Sequence, residues 1–183
     1  MTLTDLAIKY SCDKYYRHSY LPVYEHVLGE RQVKRLLEIG IGYKDLMQPF
    51  LPEGIEYVHG SSLKMWSEYW PDAEIWACDI REDTMVTEGN IRSVVRDQSS
   101  PLSLLSLVGQ AKGNFDVIID DGSHQFEHQL LTAVTLLPYL AVGGVYMIED
   151  TYADKGEVLR RKFGGKLYVG RKTPDDCLLV IGG

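Results

Sequence analysis

The chain has 183 residues, 45% of them hydrophobic, with 26 acidic against 19 basic side chains and a formal net charge of −7. That length buries a core without disulfide or metal staples, and the negative balance argues against nucleic-acid phosphate as the main partner. Three scattered cysteines, Cys12, Cys78 and Cys177, form no C-x-x-C pair, which fits a reducing, cytoplasmic setting.

The opening MTLTDLAIKY has no apolar stretch of signal-peptide length. Residues 1–30 read as a helical lead-in to a core over 31–183, and the whole as one domain. Short apolar runs then recur at Arg35–Ile39, Glu74–Ile80, Ile91–Arg96, Phe115–Asp120 and Val145–Glu149. Several are nearly continuous in Val, Ile and Leu, as strands buried on both faces are. Between them Leu63–Tyr69, Pro101–Val108 and His124–Tyr139 read as helices. Leu130–Ile148 is nearly long enough to span a bilayer, but Pro138 and the pair Gly143-Gly144 divide it into a helix and a buried strand, so no membrane partner is expected. In the tail, Glu157–Phe163 reads as a helix, Lys166–Arg171 as a strand, Thr173–Asp176 as a turn and Cys177–Ile181 as a returning antiparallel strand. Strands alternating with helices predict an α/β fold: a mostly parallel seven-stranded sheet, helices on both faces, closed by a C-terminal antiparallel hairpin.

Two features point to chemistry. The first strand opens into Gly40-Ile41-Gly42, where the missing Cβ atoms let backbone approach a ligand at the carboxyl edge of the sheet. Asp79 ends the second strand, where a carboxylate can accept the ribose hydroxyls of an adenosine group. A nicotinamide fingerprint needs a third glycine and an acid about 20 residues on; here position 45 is Asp45 and the spacing is 79 − 42 = 37. The excess, Tyr43–His59, reads as a structureless insertion, either a lid or a plain surface loop. The second feature is a pair of acidic strand ends, Asp120-Asp121 and Glu149-Asp150. On neighbouring parallel strands their carboxylates gather at one edge and repel unless a cation neutralises them, and oxygen ligands favour a hard ion such as Mg²⁺. The bland alternative is that Asp121-Gly122 is a turn and Ser123 a helix cap. His124–His128 also matches the inverted zinc-protease pattern, but His124 falls at a strand-to-helix corner rather than mid-helix.

The run DVIIDDGSH followed by GGVYMIEDTY resembles the metal-dependent sugar O-methyltransferases of macrolide biosynthesis, with a related arrangement in cephalosporin-hydroxylase-like proteins. LEIGIG, GSSLKMWSEYWPDAEIWACDI, Arg96–Ser99 and the lead-in Tyr10–Lys14 with His18–Tyr20 and Tyr24-Glu25 are also similar to that family. The resemblance implies a Rossmann-like class I methyltransferase fold and S-adenosylmethionine and Mg²⁺ as cofactors. It implies Asp121, Glu149 and Asp150 as metal ligands, His124 as general base, and a cofactor site lined by Glu38, Gly40, Gly42, Ser62, Asp79, Asp97, Gln98 and Asp121. The implied acceptor is a hydroxyl of a sugar-containing or other small natural product; a homo-oligomer is left open. Two departures stand out: the loop after Gly42 is longer and lacks the family's extra glycine, and the large N-terminal domain of the macrolide enzymes has no counterpart in these residues. The alternatives are a metal-independent methyltransferase, a nicotinamide oxidoreductase, and a non-catalytic S-adenosylmethionine-binding module.

Overall fold

The computed structural model describes residues 1–183. Three short helices, α1 (Leu3–Lys9), α2 (Asp13–Tyr16) and α3 (Leu21–Leu28), form the lead-in. α1 starts at a reciprocal capping box, in which Thr2 accepts from the Asp5 N–H and Asp5 accepts from the Thr2 N–H. There follow β1 (Arg35–Ile39), α4 (Lys44–Met47), α5 (Ser61–Tyr69), β2 (Glu74–Asp79), β3 (Ile91–Val95), α6 (Pro101–Ala111), β4 (Phe115–Asp120), α7 (Phe126–Leu136), β5 (Leu140–Ile148), α8 (Ala153–Phe163), β6 (Lys166–Val169) and β7 (Cys177–Gly182).

The seven strands form one sheet in the order β3-β2-β1-β4-β5-β7-β6, parallel except for β7, which runs antiparallel to both its neighbours. This is the mixed sheet with a terminal hairpin that the sequence predicts. Helices cover both faces: the lead-in and α5 pack on one, α6, α7 and α8 on the other. Alternation along the central strands sends Leu36, Val117, Ile119, Val145 and Met147 to the first face and Leu37, Ile118, Tyr146 and Ile148 to the second. The strand order reverses between β1 and β4, and the crevice beyond their carboxyl ends is where an open α/β sheet takes its ligand. No helix is long and apolar enough to cross a membrane.

Three elements differ from the sequence reading. The helix predicted from His124 begins only at Phe126, because His124 adopts a left-handed backbone (φ 57°), and it gives way at Leu137 to a 3-10 turn containing Pro138. β5 begins at Leu140, so Gly143-Gly144 lie inside the strand, where its pairing with β4 shifts register and exposed Gly143 gives way to buried Gly144, rather than in front of it. The insertion after Gly42 is not structureless. It holds α4 and a 3-10 turn, Gln48 bridges the Ile55 carbonyl and the Tyr57 N–H at 2.8 and 2.9 Å, and the Arg17 and Arg81 guanidiniums stack on Phe50 and Tyr43.

The hairpin is tied to the lead-in through one carboxylate. Asp176, fully buried, accepts from the N–H and hydroxyl of Ser19 (both 2.9 Å) and from the Lys172 N–H (3.0 Å). Position 170 must be glycine here, since a Cβ would lie 2.0 Å from the Asp176 carboxylate. Burial alone would raise the Asp176 carboxyl, but these donors and the nearby His18 outweigh it and hold the group below the ordinary carboxylate range. Its contribution is therefore present above about pH 4 and lost as the pH falls. Asp176→Ala is expected to cost about 2 kcal/mol or more in urea denaturation at pH 7, with the gap to wild type narrowing at acid pH.

Candidate active site

The carboxyl ends of β1, β4 and β5 finish in step: Ile39 pairs with Asp120, and Asp120 with Ile148. The ladder runs one residue further, through Asp121 N–H to the Ile39 carbonyl and Glu149 N–H to the Asp120 carbonyl, both 2.9 Å. Strand alternation therefore turns Glu38, Asp121 and Glu149 to the lead-in face and Asp120 to the opposite one. Gly40, at φ 93°, completes the corner, because a Cβ there would sit 2.0 Å from the Asp121 carbonyl oxygen. Packing against the next strand, as well as access for a ligand, thus requires glycine at this position.

Buried among the three carboxylates is an ammonium group that the sequence reading did not assign. Lys14, from α2, places Nζ 2.6 Å from Asp121, 2.8 Å from Glu149 and 3.2 Å from Glu38, with no solvent exposure of its side chain. Burial would discharge it, yet the three carboxylates prevail and hold its pKa well above the ordinary lysine value. Burial raises Glu38 to about 7, with Lys14 opposing; its Oε2 accepts from the Trp66 indole at 3.0 Å. Glu149 Oε1 takes both the Lys14 contact and the Tyr24 hydroxyl.

Asp150 belongs to a second grouping. Its left-handed backbone (φ 50°) breaks the alternation of the strand, and its Oδ2 lies 3.6 Å from His124 Nδ1. His124 Nε2 is 3.3 Å from Asp121 Oδ1, so the ligand atoms of Asp121, His124 and Asp150 all lie within 4.8 Å of one another. Glu38, Asp121 and Glu149 make a second such set, with Asp121 common to both. Behind Asp150, the Tyr20 hydroxyl donates to Oδ1 at 2.7 Å and His18 Nε2 lies 3.2 Å from Oδ2. Burial alone would lower His124, but the bond to Asp121 and the charges of Asp121, Asp150 and Asp120 raise it to about 9. Left-handed backbone at two non-glycine residues costs on the order of 1–3 kcal/mol each and is concentrated where function needs a fixed geometry.

The other candidate residues line the same edge. Ser62 is buried in the first turn of α5. Asp79 caps the glycine corner, accepting the Ile41 N–H at 2.9 Å and the Arg81 N–H at 3.0 Å. Asp97 accepts the N–H and hydroxyl of Ser99. Gln98 joins two elements, donating to Asp120 Oδ1 at 2.6 Å and accepting the Ser123 N–H at 2.9 Å. Asp120 is thus held apart from the other acids, and burial raises its carboxyl to about 7. Lys14, His18 and Tyr24 lie in the lead-in segments noted for their family resemblance but received no role, because no spacing rule links them to Asp121, Glu149 and Asp150, more than 100 positions away.

No family model matches the chain. It is 36% identical over 152 residues to the 8-demethyl-8-alpha-L-rhamnosyl tetracenomycin-C 2'-O-methyltransferase of Streptomyces olivaceus, covering 81% of this chain and 37% of that protein. It is 38% identical over 154 residues to the L-olivosyl-oleandolide 3-O-methyltransferase of Streptomyces antibioticus, covering 82% and 37%. Among solved structures, the MycE methyltransferase of mycinamycin biosynthesis, in complex with Mg, SAH and mycinamycin VI, aligns with a TM-score of 0.68 at 32% identity over 82% of this chain and 37% of that one. The chain is therefore related to the sugar O-methyltransferases over a shared region and has the α/β methyltransferase fold. It spans little more than a third of the length of the relatives it matches.

Lys14→Met, which keeps bulk and removes charge, leaves three carboxylates packed together without a partner. We expect a loss of about 3–5 kcal/mol in chemical denaturation without divalent ions; a loss under about 1 kcal/mol would contradict the ion-pair assignment.

Proposed function

We propose that this chain is the cofactor- and metal-binding part of an S-adenosylmethionine- and Mg²⁺-dependent O-methyltransferase acting on a hydroxyl of a sugar-containing natural product. The observation that carries the reading is the convergence of Asp121, His124 and Asp150 within 4.8 Å beside the glycine corner. Asp121 and Asp150 present carboxylate oxygens with no thiolate beside them, which suits a hard divalent ion; they would hold it together with Glu149, the next carboxylate along, whose Oε1 faces Lys14 and Tyr24. When bound, such an ion lowers the pKa of a chelated hydroxyl.

The residues around it align and deprotonate. Glu38, Gly40, Gly42, Ser62, Asp79, Asp97, Gln98 and Asp121 border the crevice in which the cofactor would lie. When bound, the cofactor would supply an electrophilic methyl group on a sulfonium sulfur, and the acceptor hydroxyl attacking it would give its proton to His124. The neighbouring carboxylates raise His124 to about 9, so it would act as a base once a cation beside Asp121 and Asp150 offsets them; Nε2–H would then stay toward Asp121 and Nδ1 would take that proton. The acceptors named in the relatives, rhamnosyl tetracenomycin-C and olivosyl-oleandolide, support a glycoside as substrate class. Three free, buried cysteines suit a cytoplasmic setting.

A second reading, the same fold acting without metal, has one observation in its favour: Lys14 already supplies a cation to the cluster. Chelation separates the two. Under the first reading, methyl transfer to a glycosylated acceptor is abolished by EDTA and restored by Mg²⁺, and Asp150→Ala raises the Mg²⁺ requirement; activity that persists in EDTA supports the second. His124→Ala should bind S-adenosylmethionine as the wild type does while turnover falls about 10²- to 10⁴-fold; turnover at the wild-type rate would remove the base from His124.

A further inference from the structure

Two cation positions share one carboxylate here. Asp121 Oδ2 faces Lys14 at 2.6 Å, while its Oδ1 faces His124 at 3.3 Å, on the side of Asp150. Paired divalent ions in proteins stand about 3.5–4 Å apart, and a carboxylate offering one oxygen to each of two positions is suited to link them. The inner position, between Glu38, Asp121 and Glu149, is built as tightly as a metal cage, with ligand atoms within 4.8 Å of one another and Glu38 and Glu149 at most 1% exposed. Glu38 Oε1 is buried and accepts no hydrogen bond, so the Lys14 ammonium at 3.2 Å is the partner that balances it. Lys14 reaches this point from α2, whose neighbouring Cys12 and Tyr20 are packed into the core, so the ammonium is anchored by the fold around it.

We propose that Lys14 is a tethered cation that permanently fills the inner carboxylate pocket, so that the chain binds a single divalent ion, at the outer position beside Asp121 and Asp150. The inference rests on the metal-dependent reading above and adds to it a stoichiometry and a reason for the stoichiometry. A single positive charge at the inner position satisfies three carboxylates only in part, which leaves Asp121 and Glu149 attractive to one further cation. A second divalent ion is shut out by the ammonium, through like charge and through volume. Lys14 touches neither acceptor nor cofactor in this scheme; it is a positioning residue, orienting Asp121 and Glu149 for the outer ion.

The test counts Mn²⁺, by calorimetry and by electron paramagnetic resonance, on the full chain without cofactor. Wild type and Lys14→Arg are expected to bind one ion; Lys14→Ser, purified in Mn²⁺ so that the ion replaces the lost charge, is expected to bind two, with the broadened signal of a coupled pair. Two ions in wild type, or one in Lys14→Ser, would overturn the inference while leaving metal dependence intact. No ion in wild type would overturn the metal-dependent reading itself. Glu38→Gln gives an answer even if Lys14→Ser fails to fold: Mn²⁺ affinity should fall by no more than about 10- to 100-fold, as for a group outside the ligand set, whereas abolished binding would put the ion in the inner pocket and overturn the assignment.

Discussion

Carboxylates taken out of water must meet positive charge. Glu38, Asp121, Glu149 and Asp150 are brought to one corner of the sheet by strand ends that finish in register, and three of the four are at most 3% exposed. Removing one ion from water costs several kcal/mol even after the surroundings relax, and attraction offsets that cost only where the geometry is close. The lead-in answers this demand. Lys14 enters the cluster, Tyr24 and Tyr20 donate to Glu149 and Asp150, and His18 closes the far side of Asp150. These 30 residues are thus the fourth wall of the site as well as a cover for the sheet.

The same constraint orders the chemistry. Asp121 lies between a fixed ammonium on one oxygen and an imidazole on the other. Burial would raise its carboxyl, but Lys14 and His124 together hold it ionised well below the ordinary carboxylate range. The carboxylates of Asp121, Asp150 and Asp120 in turn raise His124, so a cation beside Asp121 and Asp150 would relieve the imidazole of that compensating role. Left-handed backbone at His124 and Asp150 aims both side chains into the corner that regular strand and helix geometry would carry them past.

Most of the fold was legible because its signals are local. Apolar runs such as Phe115–Asp120, buried on both faces, and a turn at Thr173–Asp176 suffice to predict a parallel sheet ending in a hairpin. Local signals misled where conformation overrides pattern: nothing in the string His124-Gln125 announces a positive φ, and the glycine pair in β5 reads as a break although the strand continues through it at a shift of register, with Gly143 at φ 77°. In the site, the acids were visible because their paired placement at two strand ends is unusual. Their partition was not. That Asp120 turns away to Gln98, and that Glu38 joins Asp121 and Glu149, follows from register, which links residues far apart in sequence. The lysine was hidden for the same reason.

Anomalous scattering from crystals grown with Mn²⁺ and S-adenosylhomocysteine tests the account most directly. A single peak among Asp121, Glu149 and Asp150, with the Lys14 ammonium still seated between Glu38 and Asp121, is the expected result. A peak where the ammonium sits, or no peak at this corner of the sheet, would contradict it.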